Sequence, residues 1–537
     1  MSDKPSHSIR VRRPRGSSSA RGVALRRDPD VIATFVEDAA HYPGGYAAAV
    51  ATPVTEADVA DVLRTSSRVL AVGAQSSLTG GATPVGDTVL STAKLSRIVE
   101  IGAEHVRAEA GVTLTELDAA LRAAGKFYPP VPTFVGAFVG GVVATNAAGA
   151  ATFKYGTTRD WVGALTIVLA NGDVLDVKRG ETRASAEGVF EVGLSDRVAT
   201  VRVPPYRMPN VPKVSAGYFA APGMDLVDLF VGSEGTLGVV TEVTFKVVPR
   251  RPAVCLAFVP FADRSAAMRF VAMLRDTARN TWQTGEANGL DVSAIEHMDR
   301  RCLTLLREDG ADRLFGVSIP ENAAIALLVT LELPPEITTD RAFDEIGRFD
   351  ALDTPLARFC RALDDAGVLE AVEIAVPGDD ARSAQLLGLR EAVPAAVNAR
   401  VGRAKQTIDS RIAKTAADMV VPFERLERLM QLYDTEFARR ALDAAVWGHI
   451  SDGNLHPNVI PRSMADVESG KEAIRAFGRE VLRLGGSPLA EHGVGRHPIK
   501  QELLREMYGE SGIAAMRAIK RELDPEFKLA RGVLFDP

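Results

Sequence analysis

Four of the eight histidines, His449, His456, His492 and His497, fall within about 50 residues, a local density of groups that bind metals and move protons. Asp452-Gly453, flanked by Ser451 and Asn454, has the composition of a two-residue hairpin turn. In that register His449 stands opposite His456 on one face of the hairpin, and Asn458, two residues on, shares the face. Two facing imidazoles could hold a metal or simply pack. Glu491-His492-Gly493-Val494-Gly495 offers a carboxylate beside a further imidazole, with glycines that leave room for a ligand; its bland reading is a solvated loop acid. If Glu491 joins His449 and His456, the result is a two-histidine, one-carboxylate site with open positions. Such a site suits Zn²⁺, Mn²⁺ or Fe²⁺ and Lewis-acid work on an oxygen.

A second set of residues bears on phosphate chemistry. Gly73-Ala74-Gln75-Ser76-Ser77-Leu78-Thr79-Gly80-Gly81 is a loop of small residues, in which successive backbone N–H groups can turn toward phosphate oxygens. Gly136 to Gly149 is long, nearly uncharged and poor in helical periodicity, as expected where backbone passes close to a large flat ligand. Gly232 to Val240 is a third such stretch. No GxGxxG follows a strand and no GxxxxGK[ST] occurs, so the usual dinucleotide and Walker loops are both absent.

The elements that must position these groups are partly legible. Thr55 with Asp58, and Thr113 with Glu116, are capping-box pairs that open helices. Arg68 to Val72 reads as a strand running into the first glycine loop, and Thr88 to Ser91 as a second strand. Pro249-Arg250-Arg251-Pro252 punctuates the chain, after which a strand (Val254 to Phe258) and a helix (Arg264 to Arg275) restart the pattern. Strand-like runs follow at Ala324 to Leu331 and Met419 to Val421, and Pro422 suits the first position of a helix. The expected architecture is α+β: a basic, poorly ordered tail over 1–30, a first domain over 31–250, a second over 251–470 and a closing segment over 471–537.

Composition narrows the function classes. Of 537 residues 46% are hydrophobic and 25% charged, an ordinary globular balance, and the formal charge of -6 supplies no field for nucleic acid. Cys255, Cys302 and Cys360 show no CxxC spacing and read as buried small hydrophobes in a reducing compartment. No run of 18 apolar residues suggests a membrane span. Seven arginines between Arg10 and Arg27, with Ser17-Ser18-Ser19, lack the apolar core of a secretory signal; an organellar presequence is the alternative to a solvated tail.

VGAQSSLTGGATP, ATNAAGAATFKYGTTRDWVGAL and DLFVGSEGTLGVVTEV, in order over Val72 to Val243, resemble the three FAD-binding segments of vanillyl-alcohol-oxidase-type flavoproteins. The resemblance implies a two-subdomain FAD-binding domain with an α+β substrate-binding cap. It assigns FAD contacts to Gly73, Ala74, Gln75, Ser76, Ser77, Leu78, Thr79 and Gly80 at the pyrophosphate. Further contacts fall to Pro132, Thr133, Gly140, Gly141, Ala144, Thr145, Asn146, Gly149, Tyr155, Gly156, Glu234, Gly235, Leu237, Gly238, Val239 and Val240. Because the loop carries Gln75 and Ser76 where some members have a histidine or cysteine, non-covalent FAD is implied.

GHISDGNLHPNV and EHGVGR resemble the C-terminal motifs of FAD-dependent D-2-hydroxyacid dehydrogenases, extending the likeness from about Asp38 to Phe535. The resemblance makes His449, His456 and Glu491 metal ligands, zinc or else manganese or iron. It makes Asn458 a substrate or flavin contact, His492 the catalytic base and Arg390 the grip on the substrate carboxylate. A guanidinium suits that last task because it binds a carboxylate bidentately. The implied reaction oxidises a D-2-hydroxy acid, D-lactate favoured, with an electron acceptor that is a quinone, a cytochrome or an electron-transfer flavoprotein. A cytoplasmic protein, or one peripheral at the membrane through its acceptor, is implied, and a homodimer stays open.

Two motif positions and the length of one segment depart from the pattern. Where D-2-hydroxyglutarate enzymes carry a lysine two residues before the aspartate at 418, this chain has Ala416, with Lys414 nearest, so a dicarboxylate is less favoured. The usual Asn-Pro-Gly-Lys is replaced by Ala530-Arg531-Gly532-Val533, and the segment from Arg179 to Val211 is longer than the common pattern. The alternatives are a D-2-hydroxyglutarate or longer-chain dehydrogenase, a flavin oxidase or alcohol/aldonolactone-type enzyme, and a metal-dependent hydrolase in which the glycine loops are only turns.

Overall fold

The computed structural model describes residues 6–16 and 22–536. These fall into two compact units. The first takes in the described residues up to Gly149, then Gly156–Pro249 and the stretch from Leu489 onward; the second comprises Ala150–Tyr155 and Arg250–Pro488.

The first unit opens with β1 (Ser8–Arg10), β2 (Tyr46–Ala51), helix α1 (Glu56–Thr65), β3 (Val69–Val72) and β4 (Val85–Ser91). Thr55 and Asp58 form the expected capping box, and α1 buries Val59, Val62 and Leu63. It is the crossover that parallel strands need, since β2, β4 and β3 form a parallel three-stranded sheet in that order. Then come β5 (Ile98–Ile101), β6 (His105–Glu109), α2 (Leu114–Ala123), capped by Thr113 and Glu116, and the short α3 (Val139–Ala144). The strands β7 (Val162–Val168), β8 (Val174–Lys178), β9 (Val189–Gly193), β10 (Val198–Arg202) and β11 (Val239–Lys246) follow. An antiparallel sheet runs β5-β6-β11-β7-β8. Along β11 burial alternates with period two, so Val239, Thr241, Val243 and Phe245 point inward.

The second unit contains β12 (Ala253–Phe261), α4 (Arg264–Thr284), β13 (Val292–Asp299), β14 (Ile325–Leu333), β15 (Glu373–Ala375), α5 (Asp380–Thr407), β16 (Thr415–Ala416) and β17 (Met419–Val420). It continues with α6 (Leu426–Arg439), β18 (Ala444–His449), β19 (Asn454–Val459) and α7 (Met464–Arg483). One eight-stranded antiparallel sheet runs β15-β12-β14-β13-β18-β19-β16, with β17 also paired to β19. Its interior strand β14 is buried on both faces, which explains the nearly unbroken apolar run Ile325-Ala326-Leu327-Leu328-Val329. The order puts β13 beside β18 although about 150 residues separate them in sequence.

Several expectations need correction. Residues 6–16 of the tail are built into the first unit, because β1 pairs in parallel with β9 and β9 with β10. The tail therefore covers a strand edge of the long 179–211 segment, and Arg12 anchors it by donating to both carboxylate oxygens of Glu56, at 2.6 and 2.8 Å. Ser17, Ser18 and Ser19 lie outside the described residues. The closing segment starts at Leu489 instead of 471, since α7 runs unbroken through that position. Residues 136–149 are not irregular throughout, as they contain α3. Pro422 precedes a 3₁₀ turn (Phe423–Arg425), and the helix proper begins at Leu426. Among the described residues no helix is long and apolar enough to cross a membrane.

Candidate functional site

The histidine hairpin lies within the second unit. His449 ends β18 and His456 lies in β19, but the connecting loop has four residues, not two: a 3₁₀ turn at Ile450–Asp452 and then Gly453 at φ 81°. A Cβ on Gly453 would lie 2.2 Å from the carbonyl oxygen of Val421, so only glycine closes this loop. The longer loop shifts the register, pairing His449 with Asn454 and His456 with Trp447. The two histidines are thus diagonal neighbours on one face, their ring centroids 5.5 Å apart and their planes nearly perpendicular. Asn458 shares the face at 2% exposure; its Nδ2 donates to the His456 carbonyl, while among the described residues its Oδ1 accepts no hydrogen bond.

Each histidine has a buried carboxylate at its Nδ1. Glu296 Oε1 of β13 lies 3.2 Å from His449 Nδ1, and Asp418 Oδ1 lies 3.5 Å from His456 Nδ1. Both contacts are ion-pair distances without hydrogen-bond geometry; a carboxylate on the Nδ1 side favours a proton there by its charge, which suits Nε2 to a ligand. Asp418 is itself oriented by Asn454, whose Nδ2 donates to it at 3.0 Å. Glu296 has a second partner: Arg390 Nη2 of α5 donates to its Oε2 at 3.1 Å. Burial alone would raise the Glu296 pKa, but the charges of Arg390 and His449 outweigh it and hold the carboxyl at about 2. Arg390 is 7% exposed, so it is no solvated helix charge. Glu296 has no local mark in the sequence, and Asp418 enters there only as the reference point for Ala416. Ala416, in β16, pairs with Asn458 across the ladder.

The cofactor stretches lie in the first unit, except Tyr155. Its segment belongs to the second unit, where the Tyr155 hydroxyl donates to Glu332 at 2.6 Å. The first glycine loop leaves the C-terminal end of the parallel strand β3, the edge where α/β folds bind ligands. Its carbonyls are tied to protein: Ala39 N donates to Gln75 O, Ala40 N to Ser77 O and Arg496 N to Thr79 O. The backbone amides of Gln75, Ser76, Ser77 and Leu78 donate to no described residue. Successive backbone amides not used by protein acceptors are the kind of donor a phosphate can take up. Gln75 is held at φ 51° by its side-chain amide, which donates to the carbonyls of Phe35 and Glu37.

The second and third stretches are knitted together. Gly232 N and Glu234 N donate to the carbonyls of Val143 and Ala144 at the end of α3. On α3, a Cβ at Gly140 would strike Ala110 at 2.7 Å, whereas one at Gly141 would meet no described atom within 4 Å. Gly140 is therefore needed for packing, and Gly141 leaves open space beside the helix. Asn146 and Glu234 both sit at positive φ, 48° and 53°. Asn146 Oδ1 accepts from Arg159 N, and the Glu234 carboxylate accepts from Val494 N and Gly495 N, both at 2.8 Å. Burial pushes the Glu234 carboxyl up to about 6, against the opposing effect of those two amides. Nearby, Glu491 Oε2 lies 3.0 Å from the Nζ of Lys213, a buried lysine that sequence reading passed over, and His492 Nε2 lies 3.6 Å from Glu491 Oε1. These features fit FAD, and the histidine pair with its carboxylates fits a divalent metal.

Comparison with known proteins agrees with the fold and the cofactor. Residues 47–178 match an FAD binding domain, and residues 251–534 match the C-terminal domain of FAD-linked oxidases. The glycolate oxidase subunit GlcD of Bacillus subtilis is 28% identical, covering 86% of this chain and 83% of its own. The D-2-hydroxyglutarate dehydrogenase of Xanthomonas citri pv. viticola is 28% identical over 91% of this chain and 89% of its own. The D-lactate dehydrogenase of Anaerostipes hadrus is 26% identical over 86% and 82%. Among solved structures, an alkyldihydroxyacetonephosphate synthase aligns with 97% of this chain and 86% of its own at a TM-score of 0.59 and 14% identity, a likeness of fold. Because the second match spans more than half of the 537 residues, the chain belongs to the FAD-linked oxidase family.

Proposed function

We propose that this protein oxidises a short D-2-hydroxy acid, D-lactate first, to the 2-oxo acid, with a divalent metal, zinc first, held by His449, His456 and Glu491. The observation that most supports the reading is the pairing of each hairpin histidine with a buried carboxylate at Nδ1, beside an arginine that shares one of those carboxylates. This suits a metal and a carboxylate grip used together. The relatives named for D-lactate and D-2-hydroxyglutarate add to it. Ala416 opposite Asn458, in place of a lysine, favours a substrate without a second carboxylate.

FAD, when bound, supplies hydride acceptance from C2 of the substrate, and the metal supplies polarisation of the hydroxyl. The chain's own residues do the rest. Arg390, whose guanidinium has five N–H donors, keeps donors for a substrate carboxylate beyond those given to Glu296 and Glu391. Asn458 Oδ1 offers an acceptor to a hydroxyl. His492 takes the hydroxyl proton onto an imidazole nitrogen, with Glu491 beside it to favour the charge that results. The Gln75 to Leu78 amides hold the phosphates, fixing the flavin so that orientation does not have to be found anew at each turnover.

The test is the anaerobic visible spectrum of the zinc-loaded protein before and after D-lactate, with L-lactate as control and a chelator-treated sample beside them. Bleaching of the flavin band by D-lactate alone, abolished by chelation and restored by zinc, is the expected result. A band unchanged by D-lactate but bleached by D-2-hydroxyglutarate would overturn the choice of substrate. Equal bleaching after chelation would overturn the metal.

A further inference from the structure

Arg496 follows the Glu491 to Gly495 motif and has no role in the reading above. Its side chain is 7% exposed, and it reaches two chain segments far away in sequence. Nη1 donates to the carbonyl of Gly80 at 3.3 Å, and Nη2 donates to the carbonyl of Arg531 at 2.8 Å while lying 3.6 Å from Asp87 Oδ2. Its backbone N donates to Thr79 O at 2.9 Å, and its own carbonyl accepts from the Tyr42 hydroxyl at 3.1 Å. The Tyr42 ring lies so close to Gly80 that a Cβ there would be 2.6 Å from it, and a Cβ on Gly495 would lie 2.3 Å from Thr79 O. The far end of the first glycine loop is thus gripped by backbone and side chain of one residue. The near end is held by the Gln75 amide.

Between these two fixed ends lie the Gln75 to Leu78 amides that donate to no described residue. A cradle of amides binds phosphate well only if it is held in shape before the ligand arrives, because otherwise binding must order the loop. We propose that Arg496 is a positioning residue for the phosphate end of FAD: its forked donors hold Gly80 and the Ala530 to Val533 segment, and its backbone N holds Thr79, in one arrangement. The fork also gives a reason for the departure at 530–533. A backbone carbonyl, that of Arg531, is what the guanidinium uses there, and it does not depend on the side chain at that position. The proposal rests on FAD binding by this loop and is independent of the substrate and the metal.

The apoprotein of wild type, Arg496→Met, Arg496→Lys and Tyr42→Phe would be titrated with FAD and, separately, with riboflavin, which lacks the phosphates, following the quenching of flavin fluorescence. Arg496→Met should weaken FAD about 10- to 100-fold, while riboflavin affinity stays within about twofold. Arg496→Lys, which keeps the charge but reaches only one carbonyl, should fall between that and wild type. Tyr42→Phe should weaken FAD about 3- to 10-fold. Equal losses for FAD and riboflavin would mean a general structural role and overturn the proposal, as would unchanged FAD affinity in the folded variants. If Arg496→Met does not fold, Arg496→Lys and Tyr42→Phe decide by the same ratio. Failure of wild type to bind FAD would instead sink the cofactor assignment of the loop.

Discussion

Glu296 is the residue on which the histidine side of the site most depends, and Glu296→Gln tests this with little change in volume. In the folded protein its carboxyl is held at about 2 against a reference value of 4.5, with burial opposed by the nearby Arg390 and His449 charges. A depressed carboxylate pKa contributes stability that is fully present above 4.5 and is lost as pH falls through about 2. At neutral pH a shift of this size corresponds to about 3 kcal/mol. Removing one partner from a buried ion pair also costs on the order of 3–5 kcal/mol, a range reached by a different route. For a unit of this size each kcal/mol moves Tm by roughly 2–4 °C, so the glutamine variant should melt about 6–12 °C lower. Calorimetry and urea unfolding at pH 7 would measure it. Zinc affinity, read by chelator competition, should fall about 10- to 100-fold because His449 loses the carboxylate charge beside its Nδ1. A variant that melts within about 2 °C of wild type and binds zinc equally well would refute the argument, since the pair would then have no net effect on either property.

Two further outcomes are expected. His492→Ala should lose about two to four orders of magnitude in kcat while keeping its flavin spectrum, as expected for loss of a general base; stopped-flow flavin reduction with wild-type turnover would contradict the role. Glu234 has the opposite sign from Glu296: burial raises its carboxyl from 4.5 to about 6, so its contribution to stability is greatest below 4.5 and declines as pH rises through about 6. The destabilisation caused by Glu234→Ala should therefore shrink by about 2 kcal/mol between pH 4 and pH 8, and urea unfolding at the two values would show a constant penalty if the carboxylate were not desolvated.

Local signals in the sequence carried over well where local energetics decide the outcome. The capping boxes at Thr55 and Thr113 start helices because each partner satisfies an amide within three residues, a choice that no distant contact has to make. The hairpin shows where that reasoning stops. Asp452-Gly453 carries the composition of a two-residue turn, yet Gly453 sits under the carbonyl of Val421, and that neighbour, not the dipeptide, sets the loop at four residues. The facing histidines survive the shift only because a two-residue offset keeps side chains on the same face of a ladder. The tail departs from expectation for a similar reason: Arg12 looks solvated in sequence, but Glu56 and Asp176 receive it, and the backbone of Ser8–Arg10 pairs with the strand edge at 191–193.

What could not be read at all is the set of groups that give the histidines and the arginine their chemistry. Glu296 lies 94 residues from Arg390, and Asp418 marks a motif position in the sequence without any sign that it faces His456. Their value comes from the strand order, which sets β13 against β18 and β17 against β19 and so delivers one carboxylate behind each imidazole. A sheet assembled from distant segments can bury two carboxylates only if cations or imidazoles arrive to meet them, because an unpaired charge at that depth would cost more than the packing around it returns. The same reasoning runs in the other direction. Histidines placed one and two strands from the middle of a buried sheet would simply pack there, unless something biased which nitrogen carries the proton. The carboxylates supply a bias of that kind through their charge on the Nδ1 side, and they make the hairpin pair a stronger case for a metal than the spacing of the histidines could.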